Sequence, residues 1–490
     1  MKVINLLVFI CFILLNTLAC GGGSPAVPSP VEQTEPSQKD ISPDLTQLKL
    51  LSDEELITPE LPYQLIADED ATQWMKDNYF PIRSIVYDKD FSDLQFLEPL
   101  IAGKRIVQLG ESSHTSSVFN HMKVRMIKYL HQELGFNVIA FESSLMGCYQ
   151  LNKEISDVPA STLTQSCIFG VWHTEEVVEL FDYMKQTQAT DRPLKLIGFD
   201  TQLSGYYDYR NTNYIETYWD FIQPVVDSIN PTDGMMVKSW TNAIFDFYNQ
   251  SDECFAQYDQ AICSQWLTTL SDTLQQADLL TDYFQTWKNY NNGNPALELD
   301  TKLVNILASS LKQQILGLND YYTSPIFHQY GFRDVGMAAN VSKIANEIYP
   351  DDKIILWAHN GHIEMDYSDD LAREGNDHSM GYHLKQEWGE QLYTIGFFMI
   401  RGKISNRNHI GSLSVVPHNS NSLEAIAYQL RQAALFMPIS ANQTTTTDDW
   451  LHQLIETNVE AVDHETKILS LSFDGFIVID TSTEITSIGY

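Results

Sequence analysis

The sequence predicts an α/β fold with a mostly parallel central sheet flanked by helices and a long helical insertion forming a cleft or lid. Three observations carry that prediction. Short, continuously apolar runs rich in β-branched residues recur between longer helical patterns, as strands covered on both faces require. The first clear helix is followed by Gly135 and then by another such run, which is βαβ grammar. Over residues 205–330 the alternation gives way to a long helical stretch crowded with aromatics.

The chain opens with "MKVINLLVFICFILLNTLAC": one early cation (Lys2), an apolar stretch through Leu15, and small residues before Cys20. Residues 1–19 fit a secretory signal, too short and wrongly flanked to span a membrane stably. "TLAC" followed by "GGGS" resembles a bacterial lipobox, with Thr17 where an aliphatic residue is preferred. Cys20 is then the lipidated first residue of an exported, membrane-anchored lipoprotein of a bacterial cell envelope. Residues 20–45 are rich in Pro, Gly and Ser and nearly lack large apolar groups, so they form a tether and not a core. Residues 46–490 make one α/β domain, since no repeat or composition break marks a second.

Six runs read as strands: 104–109, 137–142, 194–200, 353–359, 392–398 and 475–480. Between the first two lies a helix with Ser116 or Ser117 as N-cap and Val118, Met122, Met126 and Leu130 as its apolar stripe. The early part of the insertion holds Tyr206, Tyr207, Tyr209, Tyr214, Tyr218, Trp219 and Phe221. Most of these rings belong to the core, and the rest line a cleft.

A hydrophobic fraction of 43% is that of a globular protein, and the formal charge of −34 opposes binding to nucleic acid or anionic lipid. With Cys11 removed and Cys20 acylated, Cys148, Cys167, Cys254 and Cys263 remain. Three pairings are open, and proximity along the chain favours Cys148–Cys167 and Cys254–Cys263. None of these cysteines has metal-ligand spacing.

The ionisable residues collect where the strands end. Glu111 and His114 follow the first, Glu142 ends the second, Asp200 ends the third, and His359 and His362 follow the fourth. In open parallel sheets ligands bind at the carboxyl ends, because the loops there converge around a crevice. Singly, each residue has a plain structural reading. His114 would cap a helix, Glu111 would complement its dipole, His359 would sit in the core, and Arg333 would pair with Asp334. Four strands delivering acids and imidazoles to one edge favour a site. Ser112 and Ser113 do not make a nucleophile elbow, since "GESSHT" lacks the second glycine. Neither a P-loop nor a Rossmann glycine fingerprint is present.

At these residues the chain resembles the erythromycin esterase family. The resemblance rests on Gly110, Glu111, Ser113 and His114; Lys123 and Arg125; Glu142; and Gly198 with Asp200. It continues through Arg333, Asp334 and Met337, through His359, Asn360 and His362, and through Gly381, Gly389 and Gly396. It spans roughly residues 60–400. Thr115 replaces the family's usual glycine, and Val118 stands where an acid is common.

The resemblance implies a hydrolase that opens the lactone of macrolide antibiotics or a related small-molecule ester, with histidine activating water and no metal cofactor. An ester is cleaved when a base of near-neutral pKa deprotonates water while donors steady the oxyanion. His114 is the expected base, oriented by Glu111 or Glu142; if the first two strands are neighbours, it lies beside Glu142. His359, His362 and Arg333 are expected to donate to the carbonyl oxygen or leaving group. Lys123 and Arg125 are expected to hold the two glutamates, with Asp200 and Asn360 in support.

Two alternatives stay open. Glu111, His114, Glu142, His359 and His362 would also make a zinc or manganese cage with an open position for water. A non-catalytic surface lipoprotein would use the aromatic cleft to bind a ligand. The oligomeric state is not legible.

Overall fold

The computed structural model describes residues 67–202, 214–257, 260–323, 331–365, 378–415, 421–439, 450–460 and 463–489. The expected signal, Cys20, the tether and Tyr206, Tyr207 and Tyr209 lie outside them, as do the side chains of Tyr214, Cys254 and Cys263.

Eleven strands occur among the described residues: β1 (Phe80–Pro81), β2 (Ile106–Leu109), β3 (Phe136–Ser144), β4 (Lys195–Asp200), β5 (Lys353–Trp357), β6 (Leu392–Ser405), β7 (Ser412–Val415), β8 (Ala434–Pro438), β9 (Ile455–Val459), β10 (Asp463–Lys467) and β11 (Gly475–Ser482). The main sheet has the order β1-β8-β11-β6-β2-β5-β3-β4, with β7 paired to β6. From β11 to β4 every neighbouring pair is parallel. These six parallel strands are the six apolar runs of the sequence. Antiparallel β8 and β1 extend one edge, and β9–β10 form a separate hairpin.

One neighbour relation differs from expectation. β2 and β3 are not adjacent, because β5 lies between them and pairs with both. The helix Ser117–Gln132 carries the chain across that position, leaving a slot that a strand from much later in the sequence fills.

Alternation along the strands divides the core in two. Ile354 and Leu356 of β5 face one layer with Ile106, Val138, Ala140, Ile197 and Phe199. Ile355 and Trp357 face the other with Val107, Leu109, Ile139, Phe141 and Leu196. Both faces are dry, which is why the strands read as unbroken apolar runs. The first layer is covered largely by helices between β4 and β5, among them Tyr214–Ile229, Gly234–Gln257, Leu270–Trp287 and Pro295–Thr323. Tyr218, Trp219 and Phe221 are buried there as core.

The helix Ser117–Gln132 buries Val118, Met122, Met126 and Leu130, and also Lys123 and Arg125 on its other faces. Ser116 precedes it, but its hydroxyl bonds to the Ser482 hydroxyl at 2.8 Å and makes no cap. A disulfide joins Cys148 to Cys167 and ties the helix after β3 to the helix Ala160–Cys167.

Candidate active site

The parallel sheet aims four strand ends at one edge. Gly110–His114 follow β2, Glu142 and Asp200 lie at the ends of β3 and β4, and β5 runs into the short helix Asn360–Ile363 flanked by His359. Because β5 is central, His359 stands between the two groups that the sequence placed side by side. Its ring centroid is 5.0 Å from that of His114, and its backbone N–H donates to Glu142 Oε2 at 3.0 Å.

The first cluster is built around Glu111, which is fully buried. Glu111 Oε1 lies 2.7 Å from His114 Nδ1 and accepts the Trp172 indole N–H at 2.8 Å. Its Oε2 accepts from Lys123 Nζ at 2.5 Å, and that ammonium also stands 4.5 Å from the centre of the Trp357 ring. Burial pushes the Glu111 carboxyl up, but Lys123 and His114 outweigh it and hold the group below its ordinary value. Burial depresses Lys123 to about 8 despite Glu111. With a carboxylate on Nδ1, neutral His114 carries its proton there and its basic lone pair on Nε2.

The second cluster is organised by Arg333. Its Nε and Nη2 donate to the two oxygens of Asp200 at 3.2 and 2.6 Å, and Nη2 also reaches Glu142 Oε1 at 2.8 Å. Burial raises Glu142, yet His362 and Arg333 hold it well below the ordinary carboxylate range. Asp334, sequence neighbour of Arg333, turns instead to His362 Nδ1 at 2.9 Å and accepts the Met380 N–H at 2.8 Å.

His362 Nε2 lies 2.9 Å from Arg333 Nη1 and 3.2 Å from Glu142 Oε1. The first contact would need a lone pair on Nε2 and the second a proton. Burial disfavours the imidazolium, but Asp334 and Glu142 outweigh it and push His362 up to about 10. The ring is therefore a cation wedged between carboxylates. Both His362 and Arg333, expected as donors to substrate, are engaged with these acids and with each other, and they stabilise the frame of the site.

His359 differs. Its Nδ1 accepts the Gly361 N–H at 3.1 Å, which fixes the proton on Nε2. Burial and the neighbouring His114 depress it to about 4, so the ring is a neutral donor at working pH.

Three further members escaped the sequence reading: Trp172, Asp334 as partner of His362, and Glu460. Glu460 arrives from the end of β9, where its Oε1 lies 3.6 Å from His359 Nε2. Nothing in "NVEAVDHE" marks it, because its role depends on how the hairpin docks. Arg125, expected to hold a glutamate of the site, points away from it. The guanidinium grips Asp93 at 2.5 Å and the backbone carbonyls of Ser84 and Asp90. Lys123 and Arg125 are two residues apart on a helix, so they emerge on different faces.

Asn360 supports the frame. Its side-chain amide exchanges hydrogen bonds with the backbone of Phe397 at 3.0 and 3.1 Å. A Cβ on Gly110 would lie 2.1 Å from Asn360 Oδ1, so only glycine lets β2 end there. Ser113 donates to Glu460 Oε2 at 3.1 Å, but that carboxylate is held at about 2 and is too weak a base to activate the hydroxyl as a nucleophile.

As a metal cage the cluster fits poorly. Among the described residues no group of three or more His, Cys, Asp or Glu side chains is arranged to hold an ion. Glu111 and Glu142 already face Lys123 and Arg333, whose charges oppose a nearby divalent cation.

A model of the erythromycin esterase family matches residues 131–482, well over half of the chain. The chain belongs to the erythromycin esterase family. The matched segment begins beyond Glu111 and His114 and reaches past Glu460. YbfO of Bacillus subtilis (strain 168), which carries the name of a hydrolase with no stated substrate, is 28% identical over 80% of this chain and 86% of its own length. Erythromycin esterase type II of Escherichia coli is 20% identical over 67% of this chain and 77% of its own. Among solved structures, a Bacillus cereus protein covers 85% of this chain and 98% of its own, with TM-score 0.69 at 19% identity. An erythromycin esterase mutant, EreC in its open conformation, covers 84% of this chain and 100% of its own, with TM-score 0.59 at 16% identity. These likenesses establish the fold, and membership of this family makes the chain a hydrolase.

Proposed function

We propose that the protein hydrolyses a carboxylic ester, with His114 as general base and without a metal. The observation that carries this reading is the 2.7 Å contact from His114 Nδ1 to Glu111 Oε1, with Lys123 on the other carboxylate oxygen. The carboxylate fixes the tautomer whose Nε2 accepts a proton from water. The hydroxide so formed attacks the ester carbonyl carbon, and the π electrons move to oxygen. His359 Nε2–H is the donor suited to that oxyanion, because its ring is locked as a neutral donor. Collapse expels the alkoxide, which takes the proton from His114 Nε2, leaving acid and alcohol. Lys123 keeps Glu111 ionised through the cycle, and Glu142, tied to Arg333, anchors the His359 backbone.

Hydrolysis of aryl esters by the purified chain, compared with His114→Ala, tests this reading. Equal rates would sink it. The N-terminal pattern supports a companion proposal, attachment to the envelope membrane through Cys20. Fatty-acid labelling that is lost in Cys20→Ala is the expected result. No helix among the described residues is long and apolar enough to cross a membrane.

A further inference from the structure

Glu460 is an acid of the site that no parallel strand supplies. It follows β9 in a left-handed backbone conformation, φ +50°, and its N–H donates to Ser112 O at 2.9 Å. The hairpin end is thereby docked onto the loop that carries His114. Further back the hairpin is fixed from both strands. Glu424 Oε1 accepts the Asn458 N–H at 3.0 Å on β9, and Lys467 on β10 pairs with the buried Glu364 just after His362.

The Glu460 carboxylate joins three segments. Oε2 accepts from Ser113 Oγ at 3.1 Å, and Oε1 accepts from Arg407 Nη2 at 3.1 Å. Oε1 is also 3.6 Å from His359 Nε2, the atom left protonated by the Gly361 contact. Burial alone would raise this acid, but Arg407, His114 and His359 outweigh it and hold Glu460 at about 2. It is an anion throughout the working range.

The charged surroundings of the imidazole pair come from every side. Glu111 belongs to the His114 loop, Lys123 to the helix behind it, and Glu142 with Arg333 and His362 to the far side of β5. Glu460 and its partner Arg407 close the remaining side. A permanent anion next to two rings 5.0 Å apart opposes the mutual repulsion that follows when one of them takes a proton.

We propose that Glu460 is a positioning residue of the hydrolytic site, a carboxylate delivered by the C-terminal hairpin that stands beside the His359 ring and sets the electrostatic surroundings of His114. The proposal rests on the reading of His114 as base, but its physical core does not need turnover to be tested.

The experiment uses the full chain and two variants of opposite electrostatic sign. Glu460→Gln keeps the shape and removes the charge. The acid limb of kcat/KM for an aryl ester should move down by about one pH unit. Arg407→Gln removes the counter-cation and should move the limb up, and Glu460→Asp should restore part of the first shift. Titration of the ¹⁵N-labelled imidazoles reads the same displacement without substrate. Loss of kcat with an unmoved limb and unmoved titrations would overturn the proposal, as would both variants shifting the same way. If Glu460→Gln does not fold, the upward shift in Arg407→Gln decides alone. Absence of esterase activity in the unaltered protein would sink the functional reading, while the imidazole titrations still decide the place of Glu460.

Discussion

Arg333 holds Glu142 at 2.8 Å across the carboxyl edge of the sheet, joining a helix to a strand 191 residues earlier. The same guanidinium pairs with Asp200. Two buried carboxylates thus share one guanidinium, Glu142 having His362 as a further partner. Breaking a buried pair by removing one partner costs about 3–5 kcal/mol, because the remaining charge stays desolvated. Arg333→Met should lower stability by that order in urea unfolding, and Arg333→Lys should recover only part, since an ammonium cannot serve both acids with a planar fork. An unchanged midpoint in Arg333→Met would show that the acids find other partners.

His114 and Glu142 should be separable from the serines by kinetics. Removing a general base typically costs about 10²–10⁴ in rate. His114→Ala is expected to lose at least that much with its circular dichroism intact. Glu142→Gln should also be severe, because Glu142 receives the His359 backbone N–H. Ser112→Ala and Ser113→Ala should be mild, within about tenfold. A rate loss in either serine variant matching that of His114→Ala would revive the nucleophile reading.

The sequence made the parallel strands legible because both their faces are buried, and apolar runs such as "KIILW" have no other use. The acids and imidazoles at their ends were legible for the same reason, as polar punctuation after apolar strands. The neighbour order was not, because residues 104–142 contain no sign that β5 will enter between β2 and β3. Arg125 misled for a local reason. Its spacing from Lys123 repeats the motif, yet on a helix that spacing turns it toward Asp93. Glu460, Trp172 and the Asp334–His362 pair depend on tertiary docking, and single residues without periodicity leave no trace in one sequence.

Stability should pass through a maximum near pH 6.5. His362 has an ordinary value of 6.5 and is raised to about 10 in the fold. Its contribution is therefore complete below 6.5 and is lost as pH rises toward 10. His359 is depressed to about 4, so it favours the fold increasingly as pH climbs from 4 to 6.5. Lys123, depressed to about 8 from 10.5, works against the His362 loss only above 8. The clean window for His362 is pH 7–8, above the buried Glu424 carboxyl, which desolvation raises to about 7, and there one proton difference gives a slope of at most about 1.4 kcal/mol per pH unit. Unfolding free energy should fall across that window in the unaltered protein and stay flatter in His362→Gln. Equal slopes would place the pH dependence elsewhere.

Exhaustive chelation should leave ester hydrolysis intact. Glu111 and Glu142 face cations already, so a divalent ion would have to displace Lys123 or Arg333 to enter. The check is activity before and after dialysis against a strong chelator, followed by readdition of zinc or manganese. Loss on chelation and recovery with zinc would recast Glu111, His114, Glu142, His359 and His362 as ligands.

The substrate is the last prediction. The two departures from the family motif, Thr115 and Val118, are buried, and the Thr115 hydroxyl donates to Ser405 O at 2.5 Å. With the Ser405 N–H donating to Thr115 O at 3.2 Å, Thr115 ties the His114 loop to the end of β6. Any change in how that loop is held tells most on a large rigid lactone, where reacting atoms must meet within a few tenths of an ångström; errors of about 1 Å cost about 100-fold. Small flexible esters can follow the shift. Simple aryl esters should therefore turn over faster than erythromycin, and Thr115→Gly should narrow the gap by improving the macrolide more than the aryl ester. Mass spectrometry of a panel of macrolides and aryl esters, scored as gain of one water, checks this. Efficient opening of erythromycin by the unaltered protein would show instead that the buried threonine leaves the loop where the lactone needs it.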